Sequence, residues 1–202
     1  MSKILFCRVG WMRKYQGLDS DQIDGGGSYV TKMGFGHEIF NFSDFKGYLY
    51  GYVQPPGRGN YNDRKIRLER LGAGRSDEFI EDVLVVWFAR PKKNKPSVIV
   101  GWYEKAVVYR RWQQPDAESG RVYNKEDLGY YMRTRVEYGC LLPVDKRVFI
   151  VPTGIGFPGQ SNIWYPDSEK SKSFISEVLG FIKTRRIPSK TMEKLKKHKR
   201  SR

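Results

Sequence analysis

Val83 to Phe88 (VLVVWF) is an unbroken run of six apolar residues, and a strand that reads this way belongs in the middle of a sheet. Val98 to Tyr109 (VIVGWYEKAVVY) supplies a second, longer strand, with Gly101 as its expected bend. Around this pair the pattern places strands at Ile4 to Val9, at Tyr48 to Val53, at Tyr130 to Val136 and at Arg147 to Val151. The third residue pattern of this kind, Lys65 to Leu71 (KIRLERL), alternates basic and apolar side chains, which turns Ile66 and Leu68 toward the core. One helix is expected, with Phe174, Ile175, Val178, Leu179 and Ile182 on one face, Asp167 or Ser168 as its cap, and the sheet as its packing surface. The chain shows no repeat and no alternating βα rhythm, so a Rossmann-type sheet is disfavoured. The expected fold is α+β, a small curved or barrel-like mixed sheet with flanking helices.

The chain has 202 residues, and its 14% aromatic content separates it from disordered basic chains. Lys and Arg number 37 against 22 Asp and Glu, a net charge of +15. From Lys183 to Arg202 ten basic residues face one acid, Glu193, so this stretch holds +9 of that excess. Met192 and Leu195 are its only apolar residues after Pro188, too few to bury it. The reading divides the chain into a domain over residues 1–182 and a basic tail or linker over 183–202. Such a tail gains affinity for nucleic acid by releasing counterions, with Lys183, Arg185, Arg186 and Lys190 as the phosphate contacts nearest the domain. No run approaches the roughly 18 apolar residues of a membrane span, and the start has no long apolar region of a signal peptide. A cytoplasmic protein without a membrane partner is expected. Cys7 and Cys140 are read as free thiols, and a zinc site would need both to converge with His37 and His198, so no metal or other cofactor is expected.

Gly25-Gly26-Gly27-Ser28-Tyr29 lacks the Lys-Ser/Thr of a P-loop and the spacing of a dinucleotide fingerprint. It reads as a surface loop, or as a turn whose glycines let backbone approach a ligand and present Ser28 and Tyr29 to it. His37-Glu38 pairs the internal histidine with an acid but has no second ligand at metalloenzyme spacing, so no catalytic residue is assigned. Trp102 and Tyr103 are adjacent and must point to opposite faces of their strand, which excludes both from one core. A barrel mouth lined by such rings, with an acid and amides near, suits a flat heterocycle stacked between them.

Three stretches together carry a resemblance. They are Leu5 to Met12 with Tyr15-Gln16-Gly17, Gly25 to Val30 with Gly36 to Phe42, and Val100 to Tyr103 with Ala106 to Arg110. The set resembles the EVE-like members of the PUA superfamily, often found in front of HNH nuclease domains in modification-dependent restriction enzymes. The resemblance covers roughly residues 3–182. It implies a curved β-barrel with flanking helices, related to the YTH and SRA readers, which takes a modified base into an aromatic cage. Carried over by position, Ser28 and Tyr29 lie on the ligand-facing turn and Trp102 and Tyr103 flank the opposite side. Trp11 is a further wall, and Glu38 or Asn41 a polar reader.

The expected function is therefore a non-catalytic module that recognises 5-methyl- or 5-hydroxymethylcytosine in DNA by base flipping, coupled to an effector nuclease domain or protein. Methylated adenine is a variant of this reading. The alternatives are an RNA-binding PUA-like protein, a metal-dependent nuclease using His37 and Glu38, and an adaptor that binds an acidic protein through the tail.

Overall fold

The computed structural model describes residues 3–57, 59, 63–115 and 119–185. The chain divides into two compact units, Met1–Asp167 and Ser168–Arg202.

The first unit is built on the two strands that the apolar runs announce. β3 (Phe79–Ala89) and β4 (Ser97–Gln113) pair antiparallel, with register shifts that include one between Trp87 and Phe88, opposite Gly101. A side chain at Gly101 would collide with the Cys140 carbonyl and the Phe42 ring, so the glycine admits a neighbouring strand as well as the irregularity. β1 (Ile4–Val9) runs parallel to β3, and β10 (Ile163–Trp164) pairs with its other edge. The free edge of β4 takes three partners in turn: β9 (Ile150–Val151), β8 (Gly139–Leu141) and β7 (Tyr130–Arg135), beyond which lies β2 (Tyr48–Gly51). The result is a mixed eight-stranded sheet in the order β10-β1-β3-β4-β7-β2, with β8 and β9 also on β4. The expected barrel closure is not found: among the described residues this path does not return on itself. A separate hairpin joins β5 (Val122–Tyr123) to β6 (Glu126–Asp127) through Asn124 and Lys125, both at positive φ as a tight hairpin turn requires.

The sheet is buried on both faces near its centre. Leu5, Cys7, Val85, Trp87, Tyr103, Ala106 and Val108 enter the main core with Leu49 and Met132. Ile4, Phe6, Val86, Phe88 and Trp102 are equally buried on the opposite side, where the Phe6 ring packs against Phe88 and Trp164. Trp102 and Tyr103 thus point to opposite faces, as alternation demands, and both are still core residues.

Two segments depart from the alternating pattern. Lys65 to Leu71 is not a strand. After an isolated bridge from Lys65 to Arg111, the chain makes a 3-10 turn over Leu68–Leu71 and stops at Gly72. Ile66, Leu68 and Leu71 are buried, and the i, i+3 pair Leu68 and Leu71 reaches the core only if the chain turns. Arg70 is drawn outward onto Asp167 and the Tyr165 ring. Near the expected strand at Arg147, only Ile150 and Val151 pair, because Arg147 is buried and donates to the carbonyls of Leu142, Met12 and Arg13.

In the second unit, Ser168 caps a 3-10 turn over Glu169–Ser171 through its side-chain oxygen, and the turn leads into the helix α2 (Lys172–Arg185). Phe174, Ile175, Val178 and Ile182 are buried as expected, whereas Leu179 is exposed. Among the described residues no helix is long and apolar enough to cross a membrane. Cys7 and Cys140 are free thiols.

Candidate functional site

A cavity of about 890 Å³ opens in the first unit at the end of β1. Arg8, Val9 and Gly10 form one wall, and the short helix α1 (Gly27–Met33) with the glycine turn before it forms another. Gly25, Gly26 and Gly27 have φ of 79°, 82° and 82°, a succession that residues with a Cβ rarely adopt. At Gly26 a Cβ would also strike Val30, so the turn is held close against its own helix. Tyr29 stands on α1 at 42% exposure, with its ring near Phe35 and His37.

His37 and Glu38 open a 3-10 turn, His37–Phe40, and both line the cavity. The His37 ring lies 4.7 Å from the Tyr52 ring and 6.3 Å from that of Tyr29. Burial, with the nearby Arg121 guanidinium adding to it, pushes the imidazole down to a pKa of about 4, so the ring is neutral at ordinary pH. The buried Glu38 carboxyl is pushed up from its usual range by loss of hydration. This is offset in part by its own N–H and that of Gly10, and by Arg121. The Gly10 N–H donates to Glu38 Oε1 at 3.2 Å, and a Cβ at Gly36 would overlap the other oxygen. The carboxyl is thus walled by glycine backbone and has no cationic side chain within ion-pair distance among the described residues.

Tyr52, Val53 and Gln54, which follow β2, face the same space. Asn41 fixes them there: its amide donates to the Tyr52 carbonyl at 2.9 Å and its side-chain oxygen accepts from the Tyr52 N–H at 2.8 Å. Trp112 and Gln114, at the far end of β4, line it too, as do Gly59, Arg64, Asn162 and the β6 acids Glu126 and Asp127. The Trp112 indole lies so close to Gly129 that no side chain would fit there.

Beneath the cavity lies Arg121, which is fully buried. Its guanidinium donates to the carbonyls of Leu128 (2.7 Å), Tyr50 (2.6 Å), His37 and Gly129. One planar fork thereby ties β2, the His37–Glu38 turn and the link between β6 and β7. Burial lowers its pKa to about 10, which leaves it charged.

The sequence-derived residues separate into groups. Ser28, Tyr29 and Glu38 line the cavity. Asn41 supports it from behind through Tyr52. Trp11 lines a different hollow of about 480 Å³ and stacks 4.9 Å beneath the Arg147 guanidinium. Trp102 and Tyr103 do not line the cavity: both are buried, and Tyr103 packs 5.2 Å from Trp87 and 5.3 Å from Phe42. Of the basic residues, Lys183 lies on α2 and Arg185 ends it with its guanidinium 3.9 Å over Phe181. Arg186 and Lys190 fall outside the described residues. Tyr52, Trp112, Arg64 and Arg121 escaped the sequence reading. The alternation of YLYGYV gave a signal for Tyr52, whereas Arg121 gave none.

Aromatic rings, a buried carboxyl with a raised pKa and open glycine backbone thus meet in one cavity, where stacking and hydrogen bonding are both available to a flat polar ring. No group of three or more His, Cys, Asp or Glu among the described residues could hold a metal ion. In comparisons with protein-family models, curated proteins and solved structures, nothing matches the chain.

Proposed function

We propose that the chain is a non-catalytic nucleic-acid reader of the EVE-like kind, which takes a modified base, 5-methyl- or 5-hydroxymethylcytosine in DNA, flipped into this cavity. The observation that carries the reading is the buried Glu38 carboxyl set among Tyr29, His37, Tyr52 and Trp112 in a cavity of about 890 Å³. That volume lies within the roughly 300–1,000 Å³ typical of small-ligand pockets. A protonated carboxyl offers one donor and one acceptor side by side. Cytosine presents the complement, an N4 amino donor next to the N3 acceptor, and an ionised carboxylate would instead oppose N3. The rings supply stacking of about 1–3 kcal/mol per base, against a flipping cost of a few kcal/mol. Contacts to phosphate must therefore provide much of the affinity, which agrees with a net charge of +15. Two of the three stretches that resemble EVE-like domains, residues 5–12 with 15–17 and residues 25–30 with 36–42, contribute cavity walls. In this reading the chain is the recognition part of a modification-dependent restriction or defence system, and a separate nuclease cuts.

The test is a titration of one DNA duplex in unmodified, 5-methylcytosine, 5-hydroxymethylcytosine and N6-methyladenine forms, with the matching RNA as a further arm. A tenfold preference for a modified cytosine, about 1.4 kcal/mol, is expected. Tyr29→Ala and Glu38→Met should lose that preference and keep the salt-sensitive background, while Glu38→Gln, which retains a donor and an acceptor, should keep it. Equal affinity for all forms would overturn the proposal, and tighter binding of RNA would move it to the RNA-binding alternative.

A further inference from the structure

The outer face of β3, β4, β7 and β2 carries a feature unrelated to the cavity. The pairs Phe79 with Tyr109, Val107 with Arg133, Tyr50 with Arg133 and Tyr48 with Arg135 lie on the side opposite the core residues Leu49, Val108 and Met132. Across this side the rings form a chain. Phe79 lies 6.2 Å from Tyr109, which lies 5.9 Å from Tyr130, then 4.9 Å to Tyr50 and 6.4 Å to Tyr48. Phe79 is 51% exposed, Tyr48 and Tyr109 are half-buried, and Tyr50 and Tyr130 lie beneath.

The cations of this face sit on rings rather than on acids. The guanidinium carbons of Arg133 and Arg135 lie 5.2 and 5.5 Å from the Tyr48 ring, and Lys105 Nζ lies 4.6 Å from that of Tyr138. Lys105 is carried there at a φ of 49°, where β3 and β4 are out of regular register. Among the described residues none of the three has a carboxylate within ion-pair distance.

We propose that this face is a platform for a single-stranded polynucleotide, with bases stacked on Phe79, Tyr109 and Tyr48 and phosphates held by Arg133, Arg135 and Lys105. An acidic peptide would satisfy the cations but leave the exposed rings without a partner. A strand of nucleotides meets both needs, because each unit brings a flat ring and an anion. The face and the cavity are separable by substitution, since none of Tyr48, Phe79, Arg133 and Arg135 lines the cavity.

The experiment is fluorescence anisotropy of the full chain with a labelled unmodified oligothymidylate of about 12 nucleotides. Tyr48→Ala and Phe79→Ala should each weaken binding at least fivefold, about 1 kcal/mol, with charge unchanged. Tyr48→Phe should retain wild-type affinity. The double variant Arg133→Gln/Arg135→Gln should make the log–log salt slope shallower by about 1.4, the value for two single-strand phosphate contacts. Affinities of both alanine variants within twofold of wild type would overturn the proposal. So would competition by polyglutamate as effective as that by oligothymidylate, which would mark the surface as one that selects charge alone.

Discussion

Acidification should weaken the fold through His37 in a way that one substitution isolates. Folding moves the imidazole out of water and next to the Arg121 charge, lowering its pKa from 6.5 to about 4. Between those values the unfolded chain binds a proton that the folded chain refuses. Stability is therefore complete above pH 6.5 and is lost as pH falls toward 4. A displacement of this size corresponds to about 3 kcal/mol at 1.36 kcal/mol per unit. Urea unfolding followed by tryptophan fluorescence, run from pH 7.5 to 4 on wild type and His37→Gln, measures the effect as the change in the gap between them. Shared contributions from other acids cancel in that gap. The wild type should lose about 3 kcal/mol relative to the variant, with the change confined to this window. A constant gap, or an NMR titration placing His37 near 6.5, would refute the reasoning.

Two further outcomes follow from the groups around the cavity. Arg121→Met leaves the carbonyls of Leu128, Tyr50 and His37 without their donor, at about 1–3 kcal/mol for each buried acceptor. Urea unfolding should show a loss above about 3 kcal/mol that Arg121→Lys recovers only in part, since an ammonium lacks the planar fork. Gly36 has φ of −137°, which alanine adopts freely, but the new methyl would overlap the Glu38 carboxyl. Gly36→Ala should cost about 1–3 kcal/mol in urea unfolding as the buried carboxyl is displaced, and abolish the preference for modified cytosine in the duplex titration.

The sheet was legible because its central strand β3 holds six consecutive apolar residues, Val83 to Phe88, which have few other places to go. The same property hid the fate of Trp102 and Tyr103. Opposite faces imply one exposed ring only if one face meets water, and here both faces are covered near the centre. Alternation at Lys65 to Leu71 misled because Ile66 and Leu68 are inward in a strand and in a turn alike, and only Leu71 distinguishes the two. In the cavity, the glycines at 25–27 and the acid at 38 could be read locally, since positive φ and a lone acid beside apolar residues leave their mark in the sequence. Arg121 could not. Its acceptors are backbone carbonyls, those of Tyr50 and His37 lying 71 and 84 positions away, and any residue type can supply a carbonyl.

Glu38 and His37, neighbours in one turn, are displaced in opposite directions, and this fixes how the cavity should respond to alkali. His37 is neutral above about 4, and Glu38 stays neutral up to a value raised by burial. Between these limits neither side chain is charged, and the buried guanidinium of Arg121 is fully engaged with carbonyls. Above the raised value the carboxyl loses its proton, and with it the donor that would meet cytosine N3. For an acid with a raised folded pKa, the stabilising difference is present at low pH and fades as pH rises through that value, opposite in sign to His37. Binding of the modified duplex should accordingly weaken with rising pH in wild type and hold steady in Glu38→Gln, whose amide keeps its donor. Parallel pH profiles for the two proteins would show that the carboxyl does not read the base in its protonated form.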